Sequence, residues 1–224
     1  AYIIVSPNNG IISDSTKLNI LINTDLIPHE GSFGGNITIT PKVNGLAGTP
    51  KVIDIKGIYD NTITGNIEGH TLLKDEIWGG NISLLGIVNV PIGKTLTIKP
   101  GTKITIAKKQ STLINVEGTL IANGDINNLI EIKSDATEPS NFDWSGIRSS
   151  GNLEISYAVI KNAQNGVSFG NVPNSNNNLQ PKVHHVLFDN SLIAIDDLKT
   201  SGARFYNLSF RNIYYFCLSI GKCP

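Results

Sequence analysis

The chain has no methionine, only two cysteines and few charged residues, and each scarcity removes a class of protein. Charged residues make up 16% of the 224 positions, against about a quarter in an ordinary globular domain. The 18 basic and 18 acidic residues cancel, so the concentrated positive field that phosphate backbones require is absent and no nucleic-acid partner is expected. No run approaches the ~20 consecutive apolar residues needed to span a bilayer as a helix. Nor does any stretch repeat apolar residues at three-to-four spacing over ten positions, which argues against helices in general. The opening Ala1-Tyr2-Ile3-Ile4-Val5 lacks an initiating Met and the basic start of a signal peptide, so the chain reads as a mature or excised segment of a larger parent with further domains.

The cysteines, Cys217 and Cys223, are too few for a metal cluster and too far apart for a redox Cys-x-x-Cys. A short disulfide stapling the C-terminus is the favoured reading, with two reduced thiols as the alternative. Such a staple belongs to an oxidising, extracellular setting. The abundance of Asn, Ser and Thr fits an exported protein that meets sugars, although an AT-rich coding bias produces the same composition.

What the sequence does contain is short apolar alternation interrupted by 22 glycines and 10 prolines, the texture of an all-β protein. Residues 1–70 hold runs such as Leu18-Asn19-Ile20-Leu21-Ile22, Asn36-Ile37-Thr38-Ile39 and Lys51-Val52-Ile53-Asp54-Ile55, each with one apolar face and bounded by turn residues. They fit antiparallel strands. The Ser6-Pro7-Asn8-Asn9-Gly10 turn ahead of a Leu-x-Ile strand resembles bacterial immunoglobulin-like modules, and the segment is expected to be either such a sandwich or an N-terminal cap.

Residues 71–224 behave differently, because from Trp78 onward an internal repeat can be laid out. Val88 recurs as Ile114 after 26 residues, Leu96 as Leu120 after 24, and Ile104 as Ile130 after 26. A later set aligns Tyr157-Ala158-Val159-Ile160-Lys161-Asn162 with His185-Val186-Leu187-Phe188-Asp189-Asn190 and Asn207-Leu208-Ser209-Phe210-Arg211-Asn212. Ala158, Val186 and Leu208 then point inward, as do Ile160, Phe188 and Phe210, while Asn162, Asn190 and Asn212 share a corner where an amide tolerates left-handed backbone and bonds from coil to coil. Near-constant spacing predicts a solenoid whose strands pair with their own repeats one turn later. The segment Pro173-Asn174-Ser175-Asn176-Asn177-Asn178 reads as a loop extruded between coils.

Positions 92 to 104, Ile-Gly-Lys-Thr-Leu-Thr-Ile-Lys-Pro-Gly-Thr-Lys-Ile, together with Leu-Ile-Asn-Val-Glu-Gly-Thr-Leu-Ile-Ala-Asn-Gly at 113 to 124 and Trp144-Ser145-Gly146-Ile147, resemble the opening coils of pectate-lyase-like right-handed parallel β-helix proteins. The resemblance covers about residues 78–224 and implies five or six coils. It implies little about activity, since the fold hosts lyases, hydrolases, adhesins and phage spikes. Lyases of that class use calcium-binding acids with a basic residue, and its hydrolases use grouped Asp, so calcium is the one cofactor the resemblance allows and no other is expected.

No catalytic residue emerges from the acids Glu131, Asp135, Glu138, Asp143, Glu154, Asp189, Asp196 and Asp197. Asp189 and Arg211 form the most suggestive pair, yet with Lys161 they make one column that reads first as a self-neutralising ladder. Asp196-Asp197 reads as a turn before a calcium site. His184 and His185 read as structural, one partly buried and one exposed on alternating faces, and Trp78 and Trp144 as core or corner packing. Tyr157, just ahead of an inward residue, is the outward aromatic best placed to meet a sugar. Tyr157, Asp189 and Arg211 are thus the candidate ligand-binding residues. The sequence points to an extracellular or cell-surface, non-catalytic binding or structural protein whose partner is a polysaccharide or surface glycan. The alternatives are a divergent lyase or glycoside hydrolase and a self-associating adhesin or surface-layer scaffold.

Overall fold

The computed structural model describes residues 3–11, 17, 19–23, 31–109, 111–170, 181–196 and 203–218. The chain divides into two compact units, Ala1–Asn61 and Thr62–Pro224.

In the first unit β1 (Ile3–Ser6) pairs antiparallel with β2 (Asn19–Ile22). Of the next four strands, β3 (Gly31–Ile39), β4 (Lys42–Val43), β5 (Leu46–Ala47) and β6 (Lys51–Tyr59), β3 pairs with β6 and β4 with β5, again antiparallel. The tight β4–β5 hairpin turns on Asn44 and Gly45, whose φ angles of 52° and 80° give the two positive values that a strand-matched two-residue turn needs. These are three two-stranded ribbons. Ile37 is the buried apolar side chain of the unit among the described residues, so the immunoglobulin-like resemblance acquires no packed two-sheet core.

The second unit is a right-handed parallel β-solenoid of about five turns. It opens with β7 (Thr62–Ile67), β8 (His70–Thr71), β9 (Glu76–Leu84), β10 (Val88–Val90), β11 (Thr95–Ile98), β12 (Lys103–Ile106) and β13 (Leu113–Val116). It continues with β14 (Thr119–Asn123), β15 (Ile130–Ser134), β16 (Trp144–Ser149), β17 (Asn152–Lys161), β18 (Ala163–Phe169), β19 (Lys182–Asp196) and β20 (Arg204–Leu218). All pairings among these strands are parallel and build three faces. The first face stacks the start of β9, then β11, β14 and the starts of β17, β19 and β20. The second runs from β7 through the end of β9, β12 and β15 into the middle of β17, β19 and β20. The third runs β8, β10, β13, β16, β18 and the ends of β19 and β20.

Alternation along each short strand sends every second side chain into the interior, and parallel register places it on its repeat. Val88 lies beside Ile114, Ile114 beside Ile147, Ile147 beside Val167 and Val167 beside Ile195, all with 0% exposure. On the second face the column is Ile82, Ile104, Ile132, Ile160, Phe188 and Phe210. The anticipated register of Ile104 with Ile130 is therefore corrected: Ile104 pairs with Ile132, and Ile130 with Ala158. The turn before β15 holds two residues more than a constant period implies. Asp125 organises it by accepting from the backbone of Asn127 and Asn128 and from the Asn128 amide, while Gly101 donates to the Asn128 carbonyl. A slip of two keeps the same residues inside, which is why the interior assignment survived it.

Trp78 and Trp144 both lie fully inside. Each indole N–H has an acceptor, Glu76 for Trp78 and the Lys161 carbonyl for Trp144, which removes the cost of burying it. Gly146 is required by its place: φ is 112°, and a Cβ there would sit 1.6 Å from the Asn165 carbonyl oxygen at the irregular β16–β18 step.

The expected Cys217–Cys223 disulfide is also corrected, since no disulfide bond is found among the described residues. β20 continues extended through Cys217 to Leu218, which pairs with Ile195. Cys223 lies outside the described residues, as do the loop read at 173–178 and Asp197.

Interior and outer positions differ by one residue along a strand, so they separate the core from the surface experimentally. Ile114→Ala should cost about 2–5 kcal/mol in urea unfolding, as a large-to-small change in a packed core does, whereas the neighbouring outward Asn115→Ala should cost about 1 kcal/mol or less.

Candidate functional site

The outer surface is assembled from columns one residue removed from the core, and most are closed on themselves. Asn115 donates to Asn89, at 3.2 Å, and Asn89 donates to the Thr71 hydroxyl, at 3.3 Å, giving an amide ladder up the third face. On the second face Glu131 receives Lys133 at 3.2 Å and Lys161 at 3.6 Å.

The Lys161, Asp189, Arg211 column forms in the anticipated register. Arg211 grips Asp189 with two nitrogens, Nε at 3.0 Å and an Nη at 2.5 Å, and the Asn212 amide adds a third donor at 3.2 Å. Asp189 is buried and Arg211 exposed. The Arg211 hydrogen bonds hold the Asp189 carboxyl below the usual carboxylate range, outweighing the opposing effect of burial. Behind this pair runs the corner ladder. Asn162, Asn190 and Asn212 have φ of 65°, 45° and 53°, the left-handed turn predicted for them, and the Asn162 N–H donates to the carbonyls of Asp189 and Asn190.

Tyr157 is placed at a different corner, one strand length away from that pair along β17. The corner between the first and second faces is turned by Gly80 and Gly101 in the early coils, with φ of 69° and 76°. In the last three coils Tyr157, His185 and Asn207 hold it, with φ of 47°, 55° and 52°. Because the corner residue is left-handed, His184 and His185 both face outward and are both half-buried, not divided between inside and outside. Tyr157 stacks on His185, centroids 4.5 Å apart and planes 8° apart, and His184 stacks on Tyr206 at 4.6 Å and 7°. The two stacks meet nearly at right angles, at 81°, with His184 Nδ1 and His185 Nδ1 sharing a hydrogen bond of 2.9 Å. Asn207 closes the cluster by hydrogen bonding to His185 Nε2 at 2.8 Å. Burial lowers the His184 pKa, and the neighbouring His185 lowers it further.

A third arrangement lies on the third face. Leu113, Arg148, Gln164, Asn165, Ser168 and Asp196 line a groove of about 320 Å³. Asn165 reaches the Asp196 carboxylate at 3.5 Å. Arg148 and Gln164 are exposed and form no side-chain hydrogen bond or ion pair among the described residues.

The remaining acids are dispersed. Asp143 is buried at 2% exposure. Burial by itself would raise its pKa, but donors from Ser140, Ser134 and Lys108 together hold it below the ordinary value. Asp135 accepts from the Lys108 backbone, and Glu154 lies 3.9 Å from Lys182. Among the described residues no group of three or more His, Cys, Asp or Glu is placed to hold a metal ion.

The histidine corner and the third-face groove are what sequence reasoning passed over. The corner was visible in the repeat, since Tyr157, His185 and Asn207 align one position before the inward Ala158, Val186 and Leu208. The groove was not, because Arg148 and Gln164 belong to no recognisable motif.

This architecture places the chain among parallel β-solenoid proteins. No family model, curated protein or solved structure matches it, and nothing ties it to the pectate-lyase-like family or to an immunoglobulin-like module in particular.

The Asp189 pair carries a defined pH dependence. A carboxyl whose folded pKa is depressed below 3.8 gives stability that is complete above the unfolded value and is lost as pH falls through the folded one. Arg211→Gln should therefore move the acid-unfolding midpoint, followed by circular dichroism, to higher pH. Asp189→Asn at neutral pH should cost about 1.5–3 kcal/mol, the range for hydrogen bonds to a charged group.

Proposed function

We propose that this chain is a non-catalytic, extracellular or cell-surface solenoid that holds a carbohydrate chain in the third-face groove. The observation that carries the reading is the contrast in commitment of outer polar groups. Several outer groups are matched coil to coil, as Asn115 is to Asn89 and Lys161 to Glu131, whereas Arg148 and Gln164 have no side-chain partner among the described residues and line one groove with Asn165, Ser168 and Asp196. A guanidinium, two amides, a hydroxyl and a carboxylate beside the partly exposed apolar side of Leu113 provide donors and acceptors for sugar hydroxyls and a surface for a ring face.

The groove runs across β13, β16, β18 and the end of β19, so its members are spaced by the parallel-strand repeat of about 4.8 Å. One sugar unit is comparable in length to that repeat, and a polymer laid along the solenoid meets similar chemistry on successive coils. The non-catalytic part rests on the disposition of acids. Asp189 and Asp143 are tied to Arg211 and to Ser140 and Lys108, and among the described residues Asp196 is the one carboxylate that lines the groove. Hydrolysis of a glycosidic bond needs a second carboxyl across the scissile linkage. The sparse charge and amide-rich outer face support the location outside the cell.

The test is retention of the protein on a panel of neutral and uronic-acid polysaccharides, with and without calcium, followed by assays for reducing ends and unsaturated products. Saturable retention that falls about tenfold or more in Arg148→Ala/Gln164→Ala, a loss of about 1.4 kcal/mol, without product, is expected. Retention unaffected by that double substitution overturns the groove, and turnover overturns the non-catalytic assignment.

A further inference from the structure

We propose that His184 and His185 form a surface chelate for a divalent transition metal of tetragonal preference, Cu(II) or Ni(II). Three observations converge on the pair. The first is the distance. Two imidazole nitrogens bound at right angles to one ion at 2.0–2.1 Å stand about 2.9 Å apart, whereas tetrahedral ligation spreads them to about 3.3 Å. The two Nδ1 atoms are 2.9 Å apart. That separation fits a square-planar or tetragonal ion better than zinc in its usual geometry, and water would complete the coordination.

The second is preorganisation. Imidazoles free to rotate pay conformational entropy when they chelate, but here each ring lies against a tyrosine, Tyr157 under His185 and Tyr206 against His184. The edge contacts Tyr157 to His184 and His185 to Tyr206, at 6.3 Å and 6.0 Å, lock the four rings into one block. Asn207 lies on the far nitrogen of His185. In the metal-free pair one Nδ1 proton lies between the rings. Chelation requires it to leave that position, and when it is carried by His185 it can move to Nε2. The Asn207 amide, turned to present its oxygen, then accepts from Nε2–H, the outer partner that a ligating histidine ordinarily has.

The third is backbone strain. Two earlier coils turn this corner on Gly80 and Gly101, and the last turns it on Asn207, both residue types comfortable at positive φ. Tyr157 and His185 hold the same conformation at a cost on the order of 1 kcal/mol each. The solenoid thus gives up an easy turn residue in the two coils where it gains a ring that contacts the pair.

The experiment is titration of the intact chain with Cu(II), and separately with Ni(II), Zn(II) and Ca(II), by calorimetry, with electron paramagnetic resonance of the copper form. His184→Gln/His185→Asn is the control, asparagine being chosen because it tolerates the left-handed corner. It leaves the α-amino group, His29 and His70 intact and so reports the background sites. Circular dichroism establishes that the variant is folded. One Cu(II) equivalent with coupling to two imidazole nitrogens, lost in the double variant, is expected, with Cu(II) and Ni(II) preferred over Zn(II) and no response to Ca(II). Asn207→Ala, retaining both ligands, should weaken the site by about tenfold. Identical copper stoichiometry and spectra in wild type and a folded double variant would overturn the proposal, as would coupling to a single imidazole. Neither result bears on carbohydrate retention, because the groove shares no residue with this corner.

Discussion

Parallel pairing of each strand with its own repeat is the constraint on which the structure depends. A strand of four residues offers too few side chains to hold its place alone, as β13 illustrates with only Ile114 and Val116 turned inward. Its hydrogen bonds to β10 on one side and β16 on the other fix it, and the same register puts Ile114 against Val88 and Ile147. Backbone pairing and side-chain burial are therefore not separate contributions. A register slip of one residue would expose the whole inward set, while a slip of two would preserve parity and merely exchange neighbours. The turn before β15 shows the second case, where two extra residues shifted the partner of Ile104 without exposing anything.

The same constraint generates the surface. Since every outward residue also lies over its repeat, charges meet their neighbours in columns, and some of these columns alternate in sign while Lys182 lies beside Arg204. Lys161, Asp189 and Arg211 alternate in sign, and Lys103 sits beside Glu131. Neutral amides take other positions, as in Asn89 over Asn115.

Much of this was readable in advance, for a physical reason. The period of the repeat, the inward Ala158, Val186 and Leu208, and the asparagine corner depend on local alternation and turn chemistry, which a sequence displays directly. The first unit was less readable because its strands lack a repeat to index them, and the same alternating runs suit a sandwich or a set of ribbons. The C-terminal staple was not readable because cysteine spacing alone carries no information on backbone direction, and Cys217 lies within the extended β20. Of the candidate site residues, Asp189 and Arg211 met because they shared a column, and Tyr157 was placed by the same arithmetic at a different corner. The groove escaped notice because Arg148 and Gln164 are brought together by β16 and β18 lying on one face, and neither motif nor spacing announces a lateral neighbour.

Corners are where a solenoid of this kind can acquire chemistry at least cost to its fold. Interior positions are bound by packing, and mid-face positions are bound by the coil above and below. A corner residue has left the ladder, so its side chain is free to answer to something else, provided the backbone accepts positive φ. Asparagine meets that condition and returns its amide to the fold, as Asn162, Asn190 and Asn212 do. Tyrosine meets it poorly and histidine less well than asparagine, and Tyr157 and His185 nevertheless hold φ of 47° and 55° at this corner. Their rings pack against His184 and Tyr206 on the outer surface, whereas the core already closes beneath them through Ala158 and Val186. The four-ring block is therefore a surface feature, built over a core that closes through Ala158 and Val186.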